Sequence, residues 1–151
     1  MAEAIAAYLH YLSIFLLFAL LSLEHQLFKL PLDLPRARSL MRIDIAYGLA
    51  AGLVLATGVA RVLWYGKGLD YYLDNGLFLA KFGLFILVGL LSALPTLVFL
   101  NWRNALKAGQ LPQPSLRQGR LVIMVIRVEL LLLLIIPFLA TLMARGFGVT
   151  G

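Results

Sequence analysis

Residues 121–144 read LVIMVIRVELLLLLIIPFLATLMA, an apolar run in which Arg127 and Glu129 are the only charged side chains. A helix needs about 20 mostly apolar residues to cross the hydrocarbon of a bilayer, and this run is long enough. Three more stretches share its character: Ala4–Leu27, Asp44–Tyr65 and Leu77–Leu100. The connections between them are short, so consecutive helices are antiparallel neighbours. The first run has no basic flank, since the chain opens Met1-Ala2-Glu3, and it lacks a small-residue cleavage site. It therefore reads as a retained helix and not as a signal peptide. The expectation is an all-α integral membrane four-helix bundle with short loops, a single transmembrane domain over residues 1–151.

The composition agrees. The chain is 62% hydrophobic with a mean hydropathy of +0.95, more apolar surface than a soluble domain of 151 residues can hide. Cysteine is missing, which excludes disulfides, thiolate metal sites and cysteine nucleophiles. Met1, Met41, Met124 and Met143 are scattered, a poor basis for a thioether copper site. The formal net charge of +6 points to membrane lipid as a partner and not to nucleic acid, because most basic residues fall in two loops.

Lys29, Arg36, Arg38 and Arg42 follow the first run, and Arg103, Lys107, Arg117 and Arg120 follow the third. The opposite side offers Arg61, Lys67 and Arg145 against Glu3, Asp70 and Asp74. Cytoplasmic loops are the basic ones, so both termini are expected outside. In a bacterium this is a multi-pass protein of the inner (plasma) membrane with periplasmic termini. Trp64, Tyr65, Tyr71 and Tyr72 supply an interfacial aromatic belt on the outer side.

Ionisable groups at membrane depth are costly unless paired, solvated or liganded, so each one is a candidate for function. Counting about 1.5 Å per residue, His10, Arg61 and Lys81 fall in one outer layer. Glu24 and His25, Arg42 and Asp44, and Arg127 and Glu129 fall in a second, cytoplasmic layer. Opposite charges at matching depth suggest a structural ion-pair network of Glu24, Arg42, Asp44, Arg127 and Glu129. In the outer layer His10 reads either as a neutral imidazole bonded across helices, to a tyrosine or serine, or as a metal ligand. Lys81 reads as a snorkelling anchor or as a buried cation, and Arg61 beside Trp64 and Tyr65 as an interfacial anchor. Gly48, Gly52, Ala56 and Ala60 recur every four residues, a stripe that suits either close helix packing or a slot for a flat ligand. His10 and His25 are fifteen residues apart, about 22 Å along a helix, and cannot ligate one metal from the same protomer.

The segment Tyr8-Leu9-His10, Lys81 early in the third run and Arg127-x-Glu129 in the fourth resemble the four-helix membrane protoporphyrinogen IX oxidases and the copper-resistance-D-like proteins. Arg38 to Arg42 and Thr57-Gly58 resemble the two ends of that family's second helix. The chain departs from the oxidases in having no tryptophan after His10 in the first run, Val128-Glu129 in place of an Asn-Glu pair, and Phe78-Leu79-Ala80 before Lys81. These departures place it in an uncharacterised bacterial sister family of four-helix inner-membrane proteins. What the resemblance implies is haem b with His10 on the iron. Gly48 and Gly52 would admit the macrocycle, and Lys81 and Arg61 would meet its propionates or supply a second ligand.

The functional expectation is a haem-b-binding membrane protein with an electron-transfer or oxidoreductase role, with a quinone as the natural membrane partner. The rival is a non-enzymatic scaffold or assembly partner of another membrane protein, and a homodimer suits a protomer this small. A transporter is disfavoured, because four helices enclose little pore and there is no matched pair of broken segments.

Overall fold

The computed structural model describes residues 1–148. It contains α1 (Ala2–Leu27), α2 (Leu34–Leu63), α3 (Leu69–Leu73), α4 (Gly76–Asn101), α5 (Arg103–Lys107) and α6 (Leu116–Ala144). Among the described residues four segments are long and apolar enough to cross a membrane: Ala2–Leu27, Leu34–Leu63, Gly76–Lys107 and Leu116–Ala144. The all-α membrane bundle read from the sequence is the architecture observed. Helix α1 packs along α2 and α4 along α6, and the two pairs meet at an α1–α6 seam and a sparser α2–α4 seam.

Capping chemistry sets the helix starts. The Asp33 carboxylate accepts the Arg36 amide at 2.8 Å, and Pro35 sits in the first turn, where a missing N–H does no harm. Helix α2 therefore begins at Leu34, ten residues before the apolar run that starts at Asp44. Arg36, Arg38 and Arg42 ride on this helix and are not loop residues, and Asp44 lies nearly three turns inside it. Ser115 caps α6 through Gln118 at 3.1 Å, and Asn75 caps α4 through Leu77 and Phe78. Asn75 is fully buried, and its amide also donates to the Phe147 carbonyl at 3.4 Å, tying the end of α6 to the start of α4.

Large apolar side chains cover the outside, among them Phe15, Leu49 and Leu90 at about 70% exposed. That surface is stable where the surroundings are acyl chains. Inside, Leu17, Leu21, Leu40, Ala50, Val88, Val122 and Ile126 form the core. At the basic-loop end the core closes with an aromatic plug. Phe28 stacks on Trp102 at 6.2 Å between centroids with 8° between planes, and Phe99 lies 6.0 Å from Phe28 and 5.1 Å from Trp102. At the other end Trp64 is exposed as a belt residue should be. Tyr72 is not: it is buried against Phe78, and its hydroxyl accepts the Lys67 amide.

Candidate functional site

Two polar layers are built into the bundle, and they carry opposite chemistry. Toward the termini, α1, α2 and α4 contribute His10, Arg61 and Lys81, all half-buried. His10 Nδ1 lies 2.8 Å from Thr57 Oγ1 across the α1–α2 seam. The Thr57 hydroxyl points its own proton at the helix carbonyls, 2.7 Å from that of Leu53 and 3.2 Å from that of Val54. With its one hydrogen committed, the hydroxyl can only accept from the imidazole. His10 thus carries its proton on Nδ1, and Nε2 keeps the free lone pair. Metal-binding histidines are oriented in this way by the partner of their other nitrogen.

Gly58 makes the seat for that ring, since a methyl group there would approach His10 Cε1 to 3.2 Å. Arg61 places its guanidinium 5.4 Å from the centre of the Tyr11 ring, and the Lys81 ammonium leans back over Phe78 at the same distance. Both cations are close enough for their charge to act on the His10 ring, as expected from matching depth. The imidazole partner is Thr57, where a tyrosine or serine was expected.

The glycine stripe does not serve close packing within the bundle. A methyl group on Gly48 or Gly52 meets nothing within 4 Å, so both face outward. Gly52 lines a groove of about 350 Å³ in the α2–α4 seam, with Leu17, Tyr47, Phe85, Gly89 and Ser92. His10 and Gly48 are not among its lining residues. The groove ends on α2 at Leu55, three residues and about 4.5 Å of rise short of Gly58.

The second layer differs from the ion-pair network expected of it. Glu24, Asp44 and Glu129 are buried at 1%, 6% and 0% exposure, whereas Arg42 and Arg127 are exposed. Helix geometry is the reason. In Arg42-x-Asp44 and Arg127-x-Glu129 the two charges are two residues apart, about 200° around the axis, so an acid turned inward sends its arginine outward. Arg127 instead donates from Nε to His25 Nε2 at 3.1 Å on the outer side of the α1–α6 seam. The acids meet each other. Glu24 and Asp44 come together carboxyl to carboxyl across α1 and α2, the Thr96 hydroxyl reaches Asp44 from α4, and Glu129 stands within electrostatic range from α6. Glu24 Oε1 and both carboxylate oxygens of Glu129 have no hydrogen-bond partner.

A family model described as "Predicted membrane protein (DUF2214)" matches residues 2–148. No curated protein and no solved structure matches the chain.

Proposed function

The chain belongs to the DUF2214 family of predicted membrane proteins, and from that premise we propose that it is a haem-b-binding protein of the bacterial inner membrane, with an electron-transfer or oxidoreductase role and His10 as axial ligand. The observation that carries this reading is the lock on His10: Thr57 holds Nδ1–H, which leaves Nε2 as the ligating nitrogen. The donor set fits a histidine-ligated haem in one further respect. Arg61 and Lys81, cations suited to propionates, are within electrostatic range of that ring. The second axial position has no histidine in the same protomer, because His25 is bonded to Arg127 in the other layer. His10 would hold the group, and a second ligand, if there is one, would be Lys81 or the His10 of a second copy of the chain.

Bound haem supplies one-electron chemistry, and the protein tunes it through the axial ligand, hydrogen bonding and burial. In this reading Thr57 orients the imidazole and Gly58 keeps the space beside it clear. Gly52 and Gly89 leave the α2–α4 seam open to a flat apolar molecule, and a membrane quinone is the electron acceptor. The basic loops face the cytoplasm and both termini face the periplasm.

The test is an ultraviolet–visible spectrum of the detergent-purified chain, oxidised and dithionite-reduced, with a pyridine haemochrome count. The expected result is a stoichiometric b-type signal that His10→Ala abolishes. A chain that purifies colourless, and stays so after haemin is added, would overturn the reading and leave the scaffold role in its place.

A further inference from the structure

The acid layer is chemically unfinished. Three carboxyl groups from α1, α2 and α6 converge in the apolar core, and three of their six oxygens have no donor. A second kind of polar group lies near them. Tyr47 is 3% exposed and within electrostatic range of all three acids. Among the described residues no lysine or arginine is buried with them. From α1 the neighbouring residue is His25, which is turned away to Arg127. From α2 come Asp44 and Tyr47, from α4 the neutral Thr96, and from α6 Glu129. Arg42 and Arg127 lie on the outside.

Three carboxylates cannot stay charged together in such a place. Burial strips their hydration and each repels the others, so the layer needs bound protons or a bound cation to exist. Among the described residues no three His, Cys, Asp or Glu side chains are gathered in a way that would hold a metal ion. We propose that Glu24, Asp44 and Glu129 form a proton-binding site in the core of the bundle, with Tyr47 as its link to the α2–α4 groove.

The route follows from what closes each side. Toward the basic loops the Phe28–Phe99–Trp102 plug covers the acids, all three rings being buried. Tyr47 both neighbours the acids and lines the groove, so its hydroxyl is the polar step between them. A proton arriving there makes a carboxylic acid from a carboxylate, and that acid donates a hydrogen bond to the next carboxyl oxygen. Between Glu24 and Asp44 this forms a carboxyl–carboxyl hydrogen bond, and at Glu129 a proton removes the charge from a group whose oxygens have no donor. The site does not depend on what His10 binds.

Infrared spectroscopy of the full chain in lipid nanodiscs at neutral pH tests it. The expected result is a carbonyl stretch from protonated carboxyl groups that shifts in deuterium oxide. Glu24→Gln, Asp44→Asn and Glu129→Gln should each remove part of it. Tyr47→Phe should keep the band but slow its hydrogen–deuterium exchange, and an unchanged rate would remove Tyr47 from the route. A spectrum with carboxylate bands only would overturn the proposal. Thermal unfolding gives a second reading that needs no band assignment. Protonated acids predict that Glu129→Gln keeps wild-type stability at any sodium or potassium concentration. A melting temperature of the wild-type chain that rises with either ion, and is lost in Glu129→Gln, would assign the site to a metal cation instead.

Discussion

Gly58 and His10 are fitted to one another: the glycine hydrogen stands where a methyl group would come to 3.2 Å from the imidazole Cε1. That spacing is tight, yet the imidazole is the far end of a side chain that can give by a few tenths of an ångström. Gly58→Ala should change stability by no more than about 1 kcal/mol, because the gain from removing a mid-helix glycine offsets the crowding. Gly58→Leu should push the ring off its seat. Thermal unfolding in detergent, with nitrogen-15 NMR of the histidines, separates the two variants. A Gly58→Leu chain that kept the wild-type His10 signals would show that the seat is not where the structure puts it.

Thr57→Val tests the lock itself. The isosteric methyl removes the Thr57 acceptor for His10 Nδ1–H and leaves the Leu53 carbonyl without its extra donor. The expected loss is about 1–3 kcal/mol, with recovery in Thr57→Ser. The histidine nitrogen-15 shifts should lose the fixed tautomer in the valine variant. Equal stability of the valine and serine variants would count against a hydrogen bond of any consequence.

Glu129→Leu should leave the melting temperature unchanged or raise it. An acid with two unpartnered oxygens contributes no pair to lose, and an apolar side chain of similar size suits the core. Arg127→Ala should lower stability by under about 1 kcal/mol, because the guanidinium is exposed. An ion pair between the two would instead make either single change destabilising by several kcal/mol, which a thermal melt would resolve.

Phe28→Ala removes the central ring of the plug. Its side chain is 1% exposed and touches both Phe99 and Trp102, so the loss should be about 3–5 kcal/mol. Phe28→Leu should recover a large part of it. Tryptophan fluorescence of Trp102 should move to longer wavelength in the alanine variant, and no movement would mean that the plug closes without Phe28.

The orientation has a clean assay because the chain contains no cysteine. Single cysteines placed at Glu3 and at Lys107 should label from opposite sides in intact cells, with Glu3→Cys reached by a membrane-impermeant maleimide. Labelling of Lys107→Cys alone would invert the assignment.

The four spans were legible because apolar runs of this length have no other use, and the depth of each ionisable group followed from counting residues. Depth brought His10, Arg61 and Lys81 to one level, and the structure keeps them there. What depth could not give is azimuth. Glu129 and Arg127 share a level but point to opposite sides of α6, a consequence of two-residue spacing that was present in the sequence and outweighed by the attraction of opposite signs. The start of α2 was hidden for a related reason. Asp33 and Pro35 are a capping signal, but the basic residues after them resemble a loop when the eye follows hydropathy alone. The pairing of His10 with Thr57 joins residues 47 apart and depends on how α1 rolls against α2, which nothing local encodes.

Arg127 has a consequence for the bilayer itself. It lies on the outer face of α6, eleven residues and about 16 Å beyond Leu116, with Arg120 two turns nearer the basic end. A guanidinium at that depth draws phosphate head groups and water inward, thinning the leaflet beside it. The dent sits on the flank where α1 meets α6. On the far flank the α2–α4 groove is walled almost entirely by hydrocarbon. The annulus of lipid around this small bundle is therefore lopsided, compressed along the Arg127 edge and undisturbed along the other, so an encounter with any neighbour in the membrane plane depends on which edge it meets.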